Sequence, residues 1–279
     1  MCTLFYPQSM LVTARKHLAQ HFLIDRNMVN KVVECSGAAS GDFVLEIGPG
    51  LGAFTQRLVE KGVQILAIER DPRFQKLAFQ YPPSQVEWLT EDILNYPIAQ
   101  EIRHRLSPGR KALVVSNIPY HLTSPILERL LPLHPLISHV TLIMQEEVAR
   151  RCVSLPNRKT YGSLSLFVRY YSQPTYLFSI SPTCFRPSPK VNSAAIQFVL
   201  HPPMKELPPS FFFNLVRKSF QQRRKMLRSS LRSLYHPCLL EKHLVQLCLP
   251  PTTRPEELSL HAFFQLAKSL YQELRDQGS

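Results

Sequence analysis

Long apolar runs, closely spaced cysteines and, in its second half, acidic side chains are what this sequence lacks. No stretch approaches the ~20 apolar residues that cross a bilayer. Met1–Thr13 carries no positive segment ahead of an apolar one, so neither a membrane span nor a targeting leader is expected. Six cysteines, at positions 2, 35, 152, 184, 238 and 248, include no Cys-x-x-Cys pair, which excludes a metal knuckle or redox dithiol of that type. A chain of 279 residues with 44% hydrophobic content builds its own core without disulfides. Reduced thiols in the cytoplasm are therefore the expectation. Nothing demands a dimer, and a monomer is expected.

Charge is present but unevenly spread. Lys and Arg number 33 against 20 Asp and Glu, a formal net charge of +13. Residues 1–150 hold 15 basic and 14 acidic side chains, whereas residues 151–279 hold 18 and 6. A positive surface confined to one half points to a polyanionic partner docked there, nucleic acid first, and leaves the near-neutral half free to hold something smaller.

Residues 27–38 have a helical period, and Gly41-Asp42 then turns into the apolar run 43–47 before Gly48. Further apolar runs at 64–69, 86–92 and 111–117 each end on a polar residue, with helical stretches between them. Such alternation predicts a parallel sheet covered on both faces, with right-handed crossovers. Residues 139–145 are a fifth candidate strand, and 175–179 with 194–200 form an antiparallel closing pair, giving a doubly wound α/β architecture. Seven prolines between 182 and 209 exclude long helices there and place a domain boundary near Pro203. Beyond it, residues 210–234, 238–249 and 260–274 read as helices, so a first domain of residues 1–203 precedes a small all-helical domain of residues 204–279.

Ligands of open parallel sheets bind beyond the carboxyl ends of the strands. Gly48-Pro49-Gly50-Leu51-Gly52 follows the first strand, where glycine lets the backbone approach a ligand. Glu69 ends the second, 21 residues after Gly48, placed to accept both hydroxyls of a ribose. Asp92 ends the third and Asn117 the fourth; an acid and an amide there can read the edge of an adenine and the charged groups of a cofactor. With Ala53 as a third small residue, the glycine loop also fits the G-x-G-x-x-G/A fingerprint of dinucleotide enzymes. The loop alone leaves both cofactor classes open.

Asn117-Ile118-Pro119-Tyr120 decides between them, because Asn/Asp-x-Pro-aromatic is the form found in enzymes that methylate exocyclic amines of nucleobases. The amino group of adenine is a poor nucleophile, its lone pair being delocalised into the ring. The side-chain carbonyl of Asn117 and the main-chain carbonyl next to Pro119 can accept its two protons and favour sp³ character as attack proceeds. Pro119 fixes the backbone, and Tyr120 stacks on a base that has left its helix. The donor, S-adenosylmethionine, is a sulfonium, so transfer is an in-line displacement that depends on positioning and needs no metal.

The sequence resembles the ribosomal RNA adenine N6-dimethyltransferase family, and its small-subunit members in particular, over nearly the whole chain. The likeness rests on Gln20-His21-Phe22-Leu23, Glu46-Ile47-Gly48-Pro49-Gly50-Leu51-Gly52, Glu69, Asp92, Asn117-Ile118-Pro119-Tyr120, Phe185 with Pro187-Ser188-Pro189-Lys190-Val191, and Phe220-Gln221-Gln222-Arg223-Arg224-Lys225. It implies a Rossmann-like methyltransferase domain followed by a helical RNA-binding domain, with S-adenosylmethionine as methyl donor. It further implies transfer of four methyls, two to each of two adjacent adenosines in the hairpin near the 3′ end of small-subunit rRNA, within an assembling small ribosomal particle. By the same resemblance His21, Leu23, Gly48 and Gly50 hold the cofactor, Glu69 its ribose and Asp92 its adenine amino group. Asn117 lines both cofactor and substrate, and Phe185 faces Tyr120 across the target base. Ala19, His121 and Ser188 depart from the common pattern without removing a proposed catalytic group. Two other readings share features: a large-subunit adenine methyltransferase of the antibiotic-resistance type, and an RNA-binding assembly or transcription factor that has lost the reaction. The Phe220–Lys225 segment and the intact Asn117–Tyr120 motif favour the small-subunit enzyme.

Residues 213–234, taken as one helix, place Arg217, Lys218, Arg224, Lys225, Arg228 and Arg232 on one face, between about −20° and +100° from Arg217. Phe213, Val216, Phe220, Leu227, Leu231 and Leu234 form a neighbouring apolar stripe. Residues 207–240 contain no acid, so Arg217, Arg223, Arg224, Lys225 and Arg228 are the candidate contacts to RNA phosphates.

Overall fold

The computed structural model describes residues 20–222 and 225–277. In chain order the first elements are β1 (Phe22–Leu23), α1 (Arg26–Cys35), β2 (Phe43–Ile47), α2 (Ala53–Glu60), β3 (Gln64–Glu69), β4 (Val86–Thr90), α3 (Ile98–Arg105), β5 (Ala112–Asn117), α4 (Thr123–Leu130) and β6 (Ile137–Gln145). There follow α5 (Glu146–Val153), α6 (Ser163–Tyr171), β7 (Ser172–Ile180), β8 (Phe185–Arg186), β9 (Ser193–Leu200), α7 (Pro209–Gln221), α8 (Leu227–Ser230), α9 (Pro237–Gln246) and α10 (Leu260–Gln277).

Seven strands form one sheet in the order β4-β3-β2-β5-β6-β9-β7. The first five are parallel neighbours, and β9 enters antiparallel between β6 and β7. Parallel strands buried on both faces need apolar side chains throughout; β2 and β5 answer with Val44, Leu45 and Ile47, and with Ala112, Leu113, Val114 and Val115, all buried. The chain runs outward through β2, β3 and β4, then returns to place β5 on the other side of β2. That reversal opens a crevice at the carboxyl ends of β2 and β5, where helices cannot cover the sheet. The glycine loop and Asn117 flank it. A separate two-stranded pairing joins β1 to β8, with Phe22 opposite Arg186 and Leu23 opposite Phe185.

Of the described residues, 20–149 and 172–202 form one compact unit, and 150–171 and 203–277 the other. The sequence reading assigned residues 150–171 to the first domain; they pack instead with the C-terminal helices. The cause is aromatic. Tyr170 stacks on Phe212 with centroids 5.1 Å apart and donates its hydroxyl to the carbonyl of Met204 (2.9 Å), while Tyr161 donates to that of Leu258 (2.7 Å).

The helix expected over residues 210–234 is broken. α7 ends at Gln221, Gln222 is non-helical (φ −125°, ψ 58°), and α8 is a single turn beginning at Leu227. The restart is fixed from outside the helix, since the buried Leu227 donates its N–H to the carbonyl of Thr253 (2.9 Å). Like charges one turn apart, as at positions 224 and 228, also disfavour a continuous helix. The single cationic face is therefore withdrawn. Arg217 on α7 and Lys225 in the intervening turn are exposed, whereas Arg228 on α8 is ion-paired with Glu241. Arg223 and Arg224 lie outside the described residues.

Candidate active site

The crevice holds a cleft of about 860 Å³, its open mouth included, bounded by the segment around His21, the ends of β2, β3 and β5, and the loop after β4. Gly48 (φ +65°) and Gly50 (φ +55°) turn the chain away from β2 in the left-handed region that favours glycine. At Gly50 a Cβ would also stand 3.0 Å from the Phe22 ring. The turn aims the Gly50 N–H at Glu69, whose Oε2 accepts it at 3.0 Å while Oε1 accepts the N–H of Asp71 at 2.8 Å. Burial raises the Glu69 carboxyl above the ordinary carboxylate range, and these backbone donors oppose that shift. The result is a fixed carboxylate at the end of β3, with lone pairs left for two hydroxyl donors.

Asp71 and Arg73 reinforce this side. Arg73 binds Asp71 at 2.6 Å and, with the Gln20 amide at 3.1 Å, helps to hold its carboxyl down at about 2. Sequence reasoning missed Asp71, although Asp-Pro opening a helical turn marks it as an N-cap with proline at the first helical position; its side chain accepts the Arg73 N–H. Asp92 does not end a strand: β4 stops at Thr90, and Asp92 caps the following turn by accepting from the N–H of Leu94 (3.0 Å). It still lines the cleft, and Arg70 pairs with it at 3.5 Å. Glu46, quoted in the motif but given no role of its own, is fully buried on β2, accepts the Thr55 hydroxyl (2.7 Å) and is pushed by burial up to about 8.

On the β5 side, the Asn117 amide donates from Nδ2 to the main-chain carbonyl of His21 (2.8 Å), which directs Oδ1 elsewhere. Pro119 gives its own carbonyl to the N–H of Leu122 (2.9 Å), so the main-chain carbonyl preceding it belongs to Ile118. The Tyr120 hydroxyl shares a 2.6 Å hydrogen bond with that of Ser193 on β9, a long-range partner with no local signal in sequence. His21 stacks on Tyr120, with centroids 5.6 Å apart and planes at 24°, and its Nδ1 lies 2.8 Å from the Pro187 carbonyl.

The cleft thus brings together His21, Gly48, Gly50, Glu69, Asp92, Asn117, Pro119 and Tyr120. Phe185 does not line it, and Leu23 lines a smaller pocket that shares Phe22, Gly48 and Asn117 with it. Both are 3% exposed and belong to the hydrophobic core. Their cross-strand pairing turns these side chains toward that core, leaving Phe22 among the cleft-lining residues. Phe185 is therefore packed in the core and does not line this cleft. Among the described residues, no group of three His, Cys, Asp or Glu side chains is arranged to hold a metal ion, and no helix is long and apolar enough to cross a membrane.

A parallel sheet reversing between β2 and β5, with a glycine turn tied to a strand-end carboxylate and an Asn-x-Pro-Tyr turn across the crevice, defines a Rossmann-like methyltransferase. The solved structure of a dimethyladenosine transferase from Plasmodium falciparum shares the fold with a TM-score of 0.72 at 22% identity, covering 91% of this chain and 98% of that one. The 23S rRNA methyltransferase ErmE does so with a TM-score of 0.67 at 23% identity, covering 90% and 100%. More particularly, the model of the ribosomal RNA adenine dimethylase family matches residues 12–272, and the chain belongs to that family. It is 42% identical over 263 residues to the ribosomal RNA small subunit methyltransferase A of Protochlamydia amoebophila, covering 94% of this chain and 93% of that protein. To the protein of the same name from Chlamydia caviae it is 42% identical over 260 residues, 90% of each.

Proposed function

We propose that this protein uses S-adenosylmethionine to dimethylate the N6 amines of two adjacent adenosines in the hairpin near the 3′ end of small-subunit rRNA. It acts as a cytoplasmic monomer on an assembling small ribosomal particle. The observation that carries this reading is the presence in one cleft of a pinned carboxylate, Glu69, and of the Asn117–Tyr120 turn.

The residues fit the cofactor. Glu69 can accept two ribose hydroxyls, Ile68, Ile93 and Ile126 offer apolar contact to an adenine, and Asp92 stands at the rim for its amino group. Glu69, Glu91 and Asp92 outnumber Arg70 on this wall, a balance suited to a cation. When bound, S-adenosylmethionine supplies a methyl on a positively charged sulfur, which the amine displaces in line. Asn117 Oδ1 and the Ile118 carbonyl accept the protons of the acceptor amine and bring its lone pair out of conjugation. Tyr120, its ring held by Ser193, stacks on the extruded base. Arg217, Arg223, Arg224 and Lys225 bind RNA phosphates, in keeping with the charge excess of residues 151–279. The two relatives compared above by sequence are named as small-subunit enzymes, which favours that substrate over the large subunit.

The test is transfer of labelled methyl from S-adenosylmethionine to small ribosomal particles lacking these modifications, with large particles in parallel and mass analysis of the product. Dimethyladenosine on the small particle alone is the expected result. Label confined to large-subunit RNA, or tight binding without label, would overturn the assignment.

A further inference from the structure

We infer that Arg129 is a positioning residue for the cofactor, its guanidinium holding the turn after β4 that carries Asp92 and Ile93 into the cleft. The inference rests on the methyltransferase reading above and deepens it, since that reading gives this turn to the adenine of S-adenosylmethionine. The sheet itself does little to fix the turn. β4 is an edge strand whose ladder with β3 ends at Glu69 opposite Thr90, followed by one bond from the Glu91 N–H to the Glu69 carbonyl (3.0 Å). Asp92 and Ile93 stand beyond it, on the cleft wall.

Two sets of hydrogen bonds hold it instead. Inside the turn, the Asp92 main-chain carbonyl accepts the N–H groups of Asn95 (2.9 Å) and Tyr96 (3.0 Å), and the Asp92 carboxylate accepts that of Leu94 (3.0 Å). From outside, Arg129 donates to two main-chain carbonyls, from Nη1 to Leu94 and from Nη2 to Tyr96 at 2.5 Å. A planar guanidinium presents its donors as a rigid fork, so two carbonyls bound at once are held at a set spacing. Leu94 thus joins the two sets: its carbonyl is fixed by Arg129 and its N–H fixes the Asp92 carboxylate. Arg129 lies in the last turn of α4, one turn beyond Ile126, which is buried and lines the same cleft. The guanidinium therefore sets Asp92 and Ile93 relative to Ile126, three of the groups assigned to the adenine, although it does not itself line the cleft.

The test measures, by calorimetry, the dissociation constants of S-adenosylhomocysteine and of S-inosylhomocysteine, in which an oxygen replaces the adenine amino group. A carboxylate set to accept from that amino group disfavours the oxygen, so the wild-type protein should prefer S-adenosylhomocysteine at least about tenfold. Hydrogen bonds from a charged donor are each worth about a factor of 10 or more. Arg129→Ala is accordingly expected to weaken S-adenosylhomocysteine binding at least about tenfold and to reduce the preference to within about threefold. The particle KM should stay within about threefold of wild type. Arg129→Lys keeps the charge and replaces the fork by a point donor; it should weaken binding at least about threefold, and it carries the test if the alanine variant does not fold. A purely structural arginine would lower the melting temperature and leave the preference between the two nucleosides intact, which overturns the inference. So does a particle KM that rises in parallel with the dissociation constant, an Arg129→Lys variant that binds as wild type does, or a wild-type protein indifferent to the amino group. Failure of the wild-type protein to bind S-adenosylhomocysteine at all would defeat the methyltransferase reading itself, which separates the two failures.

Discussion

Replacing Asn117 by alanine removes two interactions of very different worth. The first is structural: Nδ2 no longer donates to the His21 carbonyl at 2.8 Å, and a partly buried neutral hydrogen bond of this kind contributes about 0.5–1.5 kcal/mol. The second is the acceptor at Oδ1, which gains strength only as the amine acquires positive charge in the transition state. Deleting a single preorganised group that stabilises developing charge costs about 100- to 1000-fold in kcat, or about 2.7–4 kcal/mol. A protein stable by about 5–15 kcal/mol remains folded after the smaller loss, so a rate effect of the larger size cannot come from unfolding. Single-turnover transfer to small particles at saturating S-adenosylmethionine should fall at least about 100-fold, with particle binding nearly intact. Asn117→Asp keeps an oxygen acceptor at the same reach but cannot donate to His21 when ionised, so its rate should lie between those of wild type and Asn117→Ala. A rate for Asn117→Ala within about tenfold of wild type would refute the role given to the amide.

Tyr120→Phe removes the 2.6 Å contact with Ser193 and keeps the ring; kcat/KM should stay within about fivefold of wild type, whereas Tyr120→Ala should lose the full stacking contribution of about 1–3 kcal/mol. Equal losses in steady-state kinetics would show that the hydroxyl, and not the ring, matters. Filter-binding titrations across a salt series should show Arg217→Ala and Lys225→Ala each flattening the slope of log affinity against log salt by about 0.7–0.9. Arg228→Ala, its cation already committed to Glu241, should flatten it less than half as much, and three equal slopes would contradict this assignment. Burial raises Glu46 to about 8 from an ordinary 4.5, so the folded chain binds more protons than the unfolded one between those values. Stability attributable to Glu46 is then fully present below about pH 4.5, declines as pH rises and levels off above about pH 8. Glu46→Gln should show a shallower fall in Tm than wild type between about pH 5 and pH 8, and parallel melting curves would mean that Glu46 is not a buried neutral acid.

Strand ends were legible because a parallel strand buried on both faces must be a short unbroken apolar run, so Glu69 announces itself as the first polar side chain after 65–68, and Asn117 follows the first, Ser116, after 112–115. Asp92 was misplaced by two residues because Thr90-Glu91-Asp92 carries no breaker, and the end of pairing at Thr90 is set by β3. The helix over 163–171 was not singled out in the sequence, nor was its place with the C-terminal helices. Its partners, Phe212, Phe213 and Phe264, are more than 40 residues away in sequence, and periodicity records that a face is buried without recording against what. The break after Gln221 is likewise fixed at a distance, by the Thr253 carbonyl.

Which aromatic rings line the cleft depends on the least legible feature of all, the two-residue ladder of β1 and β8. Side chains alternate across a strand, so its register decides which of Phe22 and Leu23 enters the core. With Leu23 opposite Phe185, both go inward, Phe22 closes against Gly50 and His21 is left over Tyr120. A slip of one residue would turn one strand's side chains over relative to the other and dissolve the joint burial of Leu23 and Phe185. Two dipeptides 162 residues apart carry no pattern that selects between these registers. The sheet can therefore be read from sequence down to the polar residues at its strand ends, while the stack of His21 on Tyr120 emerges only from the folded chain.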